Sequence, residues 1–171
     1  MKIFILGGPG SGKTTLAKKI ADKYKVEFFE LDKIFRLREK RGYKTNEEVD
    51  RSELVESFVN KKDWISEGVY RQNWLDKVLQ KADIVFILKT HKLIRNWRVT
   101  KRTINQIVGR EKSEYPANLK LIIDFYKFNE RFERERYDEI NERLERLKIT
   151  PVIIKSSTEA YPNIDKFLCD Q

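Results

Sequence analysis

A chain of 171 residues with one cysteine, Cys169, and a net charge of +9 fits a single domain (1–171) able to bury about 70% of its unfolded surface. The lone cysteine excludes an internal disulfide and a cysteine-based metal cluster, and no apolar run is long enough for a signal peptide or a membrane span. The expected setting is a reducing cytoplasm with no membrane partner, as a monomer or weak dimer.

The first predicted element is a strand, "KIFIL", which runs directly into "GGPGSGKTT". Gly7, then four residues, then Gly12, Lys13 and Thr14 form the P-loop pattern. Glycines let backbone N–H groups turn inward around a phosphate, and the helix that opens near Lys13 adds its positive dipole end. Gly7, Gly8, Pro9, Gly10, Ser11, Gly12, Lys13, Thr14 and Thr15 are therefore read as an ATP cradle. Lys13 would reach the β and γ phosphates, and the Thr14 hydroxyl would serve Mg²⁺. "TTLAKKIADKY" follows with Leu16, Ala17, Ile20 and Tyr24 at helical spacing.

"VEFFEL" predicts a second strand that ends at Asp32. The polar, charged "KIFRLREKRGYKT" suits a substrate-binding excursion, about 33–62, better than a core. Within it, Thr45 and Asn46 are cap candidates, with Glu48 three residues after Thr45, for a helix that buries Leu54, Val55, Phe58 and Val59. "DWISEG" reads as a short buried strand. "NWLDKVLQKA" reads as a helix with Trp74, Leu75, Val78 and Leu79 on one side, and "DIVFIL" as a strand covered on both faces. A helix over about Leu93 to Ile107 and a loop around "VGREKSEYP" lead to a long helix that Pro116 can start. In it, Leu121, Ile122, Phe125, Tyr126 and Phe128 are taken as the core-facing side. "PVIIK" is the last strand, and "NIDKFL" a short closing helix. The alternation predicts an α/β three-layer fold of P-loop NTPase type: a five-stranded parallel sheet flanked by helices.

In such sheets ligands collect at the carboxyl ends of the strands, so the residues after each strand carry the candidate chemistry. Glu67 in "SEGVYR" can hold Mg²⁺ through water, Gly68 would let substrate approach, and Arg71 can fork an acceptor phosphate. Asp32 has a similar position, as a base or only as a cap. From Lys92 to Arg110 there are six basic residues and no acidic one. Arg98 and Arg102, at i and i+4, share a face and could grip one polyphosphate; Arg131 and Arg134 could close from the other side. The mixed-charge run from Asn129 to Lys148 reads as a solvated helix face. Three features are read as carrying no chemistry: "NKKD" (60–63), which precedes a strand where a guanine-reading motif would follow one; His91, a loop histidine; and Cys169.

These motifs together resemble the P-loop nucleoside monophosphate kinase group, adenylate kinase being its familiar member, and more closely the bacterial DNA topology-modulation or adenylate kinase-like proteins. The resemblance rests on "GGPGSGKTT", "ELDKIF", "WISEGVYR" and "RNWRVTKR". It implies that Glu67 takes the Mg²⁺-associated carboxylate role and that Arg71 contacts the acceptor phosphate. Arg98 and Arg102 would open a helical lid, about 95–135, that clamps the donor, with Ser156, Ser157 and Thr158 near its base. The chain departs from adenylate kinase in having Glu67 for an aspartate and Tyr70 for a proline, and in lacking a zinc-type cysteine set. The implied activity is transfer of the γ-phosphoryl group of Mg-ATP to a nucleoside monophosphate. The alternatives are a small hydroxyl acceptor with Asp32 as base, a nucleotide-gated DNA-binding regulator drawing on the +9 charge, and a bare ATPase.

Overall fold

The computed structural model describes residues 1–34, 36–39, 42–45, 48–112 and 118–170. Five strands, β1 (Lys2–Leu6), β2 (Phe28–Glu30), β5 (Trp64–Glu67), β6 (Ile84–Leu88) and β7 (Val152–Ile154), form one sheet in the order β2-β5-β1-β6-β7, every pair parallel. A separate antiparallel pair, β3 (Arg36–Glu39) and β4 (Gly42–Thr45), stands in the excursion, where the sequence reading placed no strands.

Alternation along the central strands sorts the core into two layers. Ile3, Ile5, Ile65, Ile84, Phe86 and Leu88 pack against Leu16, Ala17 and Ile20 of α1 (Lys13–Tyr24) and Ile164 of α8 (Ala160–Cys169). Phe4, Leu6, Trp64, Val85 and Ile87 face the other way. There they meet Val55 and Phe58 of α3 (Glu48–Val59), Trp74, Leu75, Val78 and Leu79 of α4 (Trp74–Lys81), and Leu144 of α7 (Tyr137–Arg146). Both faces of the sheet are thus removed from water, which is why β6 is buried at every position. The expected three-layer α/β architecture is the one observed. Among the described residues, no helix is long and apolar enough to cross a membrane.

Local expectations need correction in five places. β2 stops at Glu30, and Asp32 lies in a one-turn helix, α2 (Leu31–Ile34), so the strand is shorter than predicted. Thr45 pairs with Arg36 in β4, and α3 starts at Glu48; the side chain of Thr45 lies outside the described residues. Asn46, Pro116 and the side chain of Leu54 lie outside the described residues. The long helix, α6 (Leu119–Arg131), is capped by Asn118, whose side chain accepts from the Leu121 N–H at 3.0 Å.

α6 also does not bury the aromatic face assigned to it. Tyr126 is 39% exposed and Phe128 38%, and its buried residue is Asn129. Finally, the mixed-charge run is no simple solvated face. It passes through a π-helical turn, Phe132–Arg136, and sinks Phe132, Tyr137 and Leu144 into the core.

Candidate active site

β1 delivers the chain to the loop at residues 7–12, and the loop geometry depends on two glycines. Gly10 (φ +75°) and Gly12 (φ +99°) are left-handed, and a Cβ on Gly10 would stand 2.5 Å from the Arg95 carbonyl oxygen. Gly12 directly precedes α1, so Lys13 and Thr14 occupy its first turn, where free N–H groups and the dipole favour an anion.

β5 lies beside β1 with Ile5 opposite Glu67, and this register brings Glu67 under the loop. Its side chain is 2% exposed. The Thr14 hydroxyl donates to Glu67 Oε1 at 2.7 Å, and Lys13 Nζ stands 3.5 Å from Oε2, which has no hydrogen-bond partner. Burial pushes the Glu67 carboxyl above its ordinary value of 4.5; Lys13 and the Thr14 hydroxyl pull it back, while Asp32 and Glu30 add to the rise. Oxygen donors from Thr14 and Glu67, one of them buried and unsatisfied, fit Mg²⁺, which takes one or two protein ligands and completes its shell with phosphates and water. Among the described residues no cluster of three or more acidic, histidine or cysteine side chains forms a metal cage.

The loop opens into a cavity of about 620 Å³. Pro9, Gly10, Gly12, Lys13, Thr14 and Thr15 line it, together with Glu30, Asp32, Val69 and Tyr70 from the segments that follow or close β2 and β5. Arg98 and Arg102 of α5 (Lys92–Ile107), Leu121, Asp124, Phe125 and Phe128 of α6, and Arg136 complete it. Leu121, Phe125 and Phe128, assigned to a helix core, therefore form part of a cleft wall. The Tyr70 hydroxyl donates to Asp32. The space beside Gly68 is taken by the Tyr70 ring, since a Cβ there would meet Tyr70 Cε2 at 2.7 Å.

The two basic pairs behave differently. Arg98 Nη1 donates to the Ser11 carbonyl at 2.8 Å and to that of Gly10 at 3.3 Å, bracing the loop, while Arg102 lines the cavity 5.9 Å from the Phe125 ring centroid. Arg131 and Arg134 are exposed and line no part of the cavity; Arg136, five residues after Arg131, does. Arg71 forms a two-pronged pair with Glu139 outside the large cavity. Ser156 bonds within its own turn, to Thr158 at 2.8 Å and Glu159 at 3.1 Å, and neither it nor Ser157 reaches the cavity.

Sequence reasoning missed several residues. Arg95 is fully buried behind the loop, paired with Glu133 and 5.5 Å from the Phe132 ring centroid. Its place was legible in the i, i+4, i+8 spacing with Val99 and Thr103, the other buried residues of α5. Thr90 is buried and donates to the Ser11 carbonyl at 3.0 Å. His91 is the N-cap of α5, accepting from the Leu93 N–H at 3.3 Å. Glu30, the last residue of β2, lines the cavity with Asp32 of α2, and its place at a strand end was the signal available in the sequence. Nothing local marked Arg136.

A family model described as an AAA domain matches residues 6–115. An adenylate kinase of Lachnoclostridium phytofermentans is 48% identical over 59 residues, a match spanning 32% of this chain and only 27% of that protein. A cytidylate kinase of Saccharolobus islandicus is 30% identical over 173 residues, covering 98% of this chain and 88% of that protein. A shikimate kinase from Acinetobacter baumannii, solved in complex with shikimate, superposes with a TM-score of 0.60 over 99% of this chain and 94% of its own. At 18% identity it shows a shared fold alone. With the loop, Lys13, Thr14 and Glu67 assembled as described, the chain belongs to the AAA-domain family and to the P-loop nucleoside monophosphate kinase-like group.

Proposed function

We propose that the protein transfers the γ-phosphoryl group of Mg-ATP to a small acceptor, a nucleoside monophosphate before other candidates. The observation that carries this reading is a single cavity lined both by the P-loop, with Lys13 and Thr14, and by Asp32, Tyr70 and Arg136. Donor and acceptor would share one chamber, as direct in-line transfer requires. Lys13 and the loop amides hold the donor phosphates. Thr14 and Glu67 would hold Mg²⁺, which supplies charge neutralisation on the phosphates when bound. Arg102 and Arg136 add positive charge where equatorial oxygens would gather it, and Arg98 keeps the loop in shape.

A second reading, a hydroxyl acceptor deprotonated by Asp32, is favoured by the position of Asp32 on the cavity wall. The DNA-binding alternative loses support on α5. Arg95 is buried, Arg98 is bonded to loop carbonyls and Arg102 turns to the cavity, which leaves few of its cations for a duplex. A reducing cytoplasm is proposed as the setting, in keeping with the unpaired, exposed Cys169.

The test is ADP production by the purified protein with Mg-ATP and a panel of nucleoside monophosphates, nucleosides and hydroxy acids, with Lys13→Ala prepared in parallel. One acceptor raising turnover well above the acceptor-free rate, in wild type only, upholds the reading. Turnover that no acceptor accelerates would leave a bare ATPase.

A further inference from the structure

Beside the large cavity lies a smaller one of about 110 Å³, and the two share Val69, Tyr70 and Arg136. At about 30 Å³ per water, it has room for three or four waters or one phosphate group. Its charged lining is three arginines, Arg71, Arg136 and Arg143, and one carboxylate, Glu139. Arg71 donates to both Glu139 oxygens, through Nε at 2.9 Å and through Nη2, and Arg136 Nη1 donates to Glu139 Oε2 at 3.0 Å. Arg143 is otherwise engaged: it donates to the Arg71 carbonyl at 2.6 Å and pairs with Asp76 at 3.1 Å, so it fixes the backbone that carries Tyr70 and Arg71.

Two guanidinium groups thus converge on a single negative charge, in a chamber that adjoins the proposed transfer site across Val69, Tyr70 and Arg136. We propose that Glu139 is an internal stand-in within the acceptor's anion subsite. Its carboxylate holds the Arg71 and Arg136 forks until the phosphate of a nucleoside monophosphate displaces it. This deepens, and rests on, the phosphotransfer reading above.

The physical case has three parts. A phosphate dianion presents more charge and more acceptor oxygens to the same forks than a carboxylate does, so exchange is downhill for a phosphorylated acceptor and uphill for a neutral one. The pair is cheap to open, because Arg71 is 54% and Glu139 43% exposed, and exposed pairs hold weakly. Arg136 is only 17% exposed and faces both cavities, so it need not travel to serve either. The result is selectivity: Glu139 sets a threshold that an acceptor without an anionic group does not cross.

The experiment is calorimetric titration of CMP, AMP and cytidine into wild type, Glu139→Gln, Arg136→Gln and the double variant, with ADP binding measured on each. Glu139→Gln is expected to bind at least one monophosphate about threefold to tenfold more tightly, with cytidine unchanged. Arg136→Gln is expected to lose about tenfold or more for the same ligand and to abolish the gain in the double variant.

Monophosphate affinity that is unchanged or weaker in Glu139→Gln overturns the proposal, since Glu139 would then be an ordinary ion-pair partner. So does a wild type that binds monophosphates no better than cytidine. Either result with ADP binding intact leaves the donor side of the kinase reading standing. Failure of wild type to bind ADP would strike that reading as well.

Discussion

The loop and the rest of the large cavity's lining are built in opposite ways. The loop is nine consecutive residues, Gly7 to Thr15, braced from outside by Glu67, Thr90, Arg95 and Arg98. The facing wall, where the acceptor is proposed to sit, collects single side chains from separate elements: Glu30 from β2, Asp32 from α2, Tyr70 after β5 and Arg136 from the π-helical turn. A contiguous loop keeps its geometry wherever its backbone angles are met. A wall of scattered side chains changes its chemistry with one substitution on any element. The proposed donor site thus rests on one stretch of chain, and the proposed acceptor wall on several.

The sharpest way to break that comparison is Lys13→Ala. It should lower kcat about a thousandfold or more, because the lysine is placed to act on the proposed donor's phosphates, and should also lower the melting temperature, because it leaves the buried Glu67 carboxyl without its nearest cation. Retained turnover would mean the P-loop is not the donor site.

Glu67→Gln comes next, with kcat expected to fall about a hundredfold. It should also stabilise the protein at neutral pH. The folded carboxyl is raised above its ordinary value of 4.5, so its contribution to stability is full below that value and is lost as pH rises through the folded one. Thermal melts of wild type and Glu67→Gln should therefore diverge above pH 4.5, wild type falling. Parallel melting curves would overturn the assignment.

Gly10→Ala should cost about 1–3 kcal/mol of stability and weaken ADP binding, since alanine would carry its Cβ against the Arg95 carbonyl at a left-handed φ. Denaturant midpoints with and without ADP test this. Asp32→Asn sharpens the acceptor side. With a nucleoside monophosphate the loss in kcat should stay under about tenfold, whereas a loss of about a hundredfold or more would identify a hydroxyl acceptor that needs a base. Smallest of all, Arg131→Ala should shift stability by no more than about 0.5 kcal/mol and leave kcat unchanged, because its exposed side chain lies outside the cavity.

Much of the frame was legible beforehand, for reasons that lie in local physics. The strands at Lys2–Leu6, Trp64–Glu67 and Ile84–Leu88 are short apolar runs, and α4 shows its buried stripe at helical spacing. The excursion was legible only as polar chain, because β3 and β4 are too hydrophilic to read as strands and are held as a separate pair. The aromatic residues of α6 misled because their spacing says only that one side is apolar. Whether that side meets a core or a cleft depends on what stands opposite.

The amino-acid sequence by itself determined the donor loop, because its chemistry resides in backbone amides and left-handed glycines that neighbours in the chain specify. It also determined the layered sheet, through hydrophobic runs of the right length. Only the tertiary structure decided which arginines face the cavity. Arg95, Arg98, Arg102, Arg131 and Arg136 are equivalent by charge, yet Arg95 is buried, Arg98, Arg102 and Arg136 line the cavity, with Arg98 also bracing the loop, and Arg131 is exposed outside it. Charge is a property of the residue; the direction a long side chain takes is a property of the packing around it.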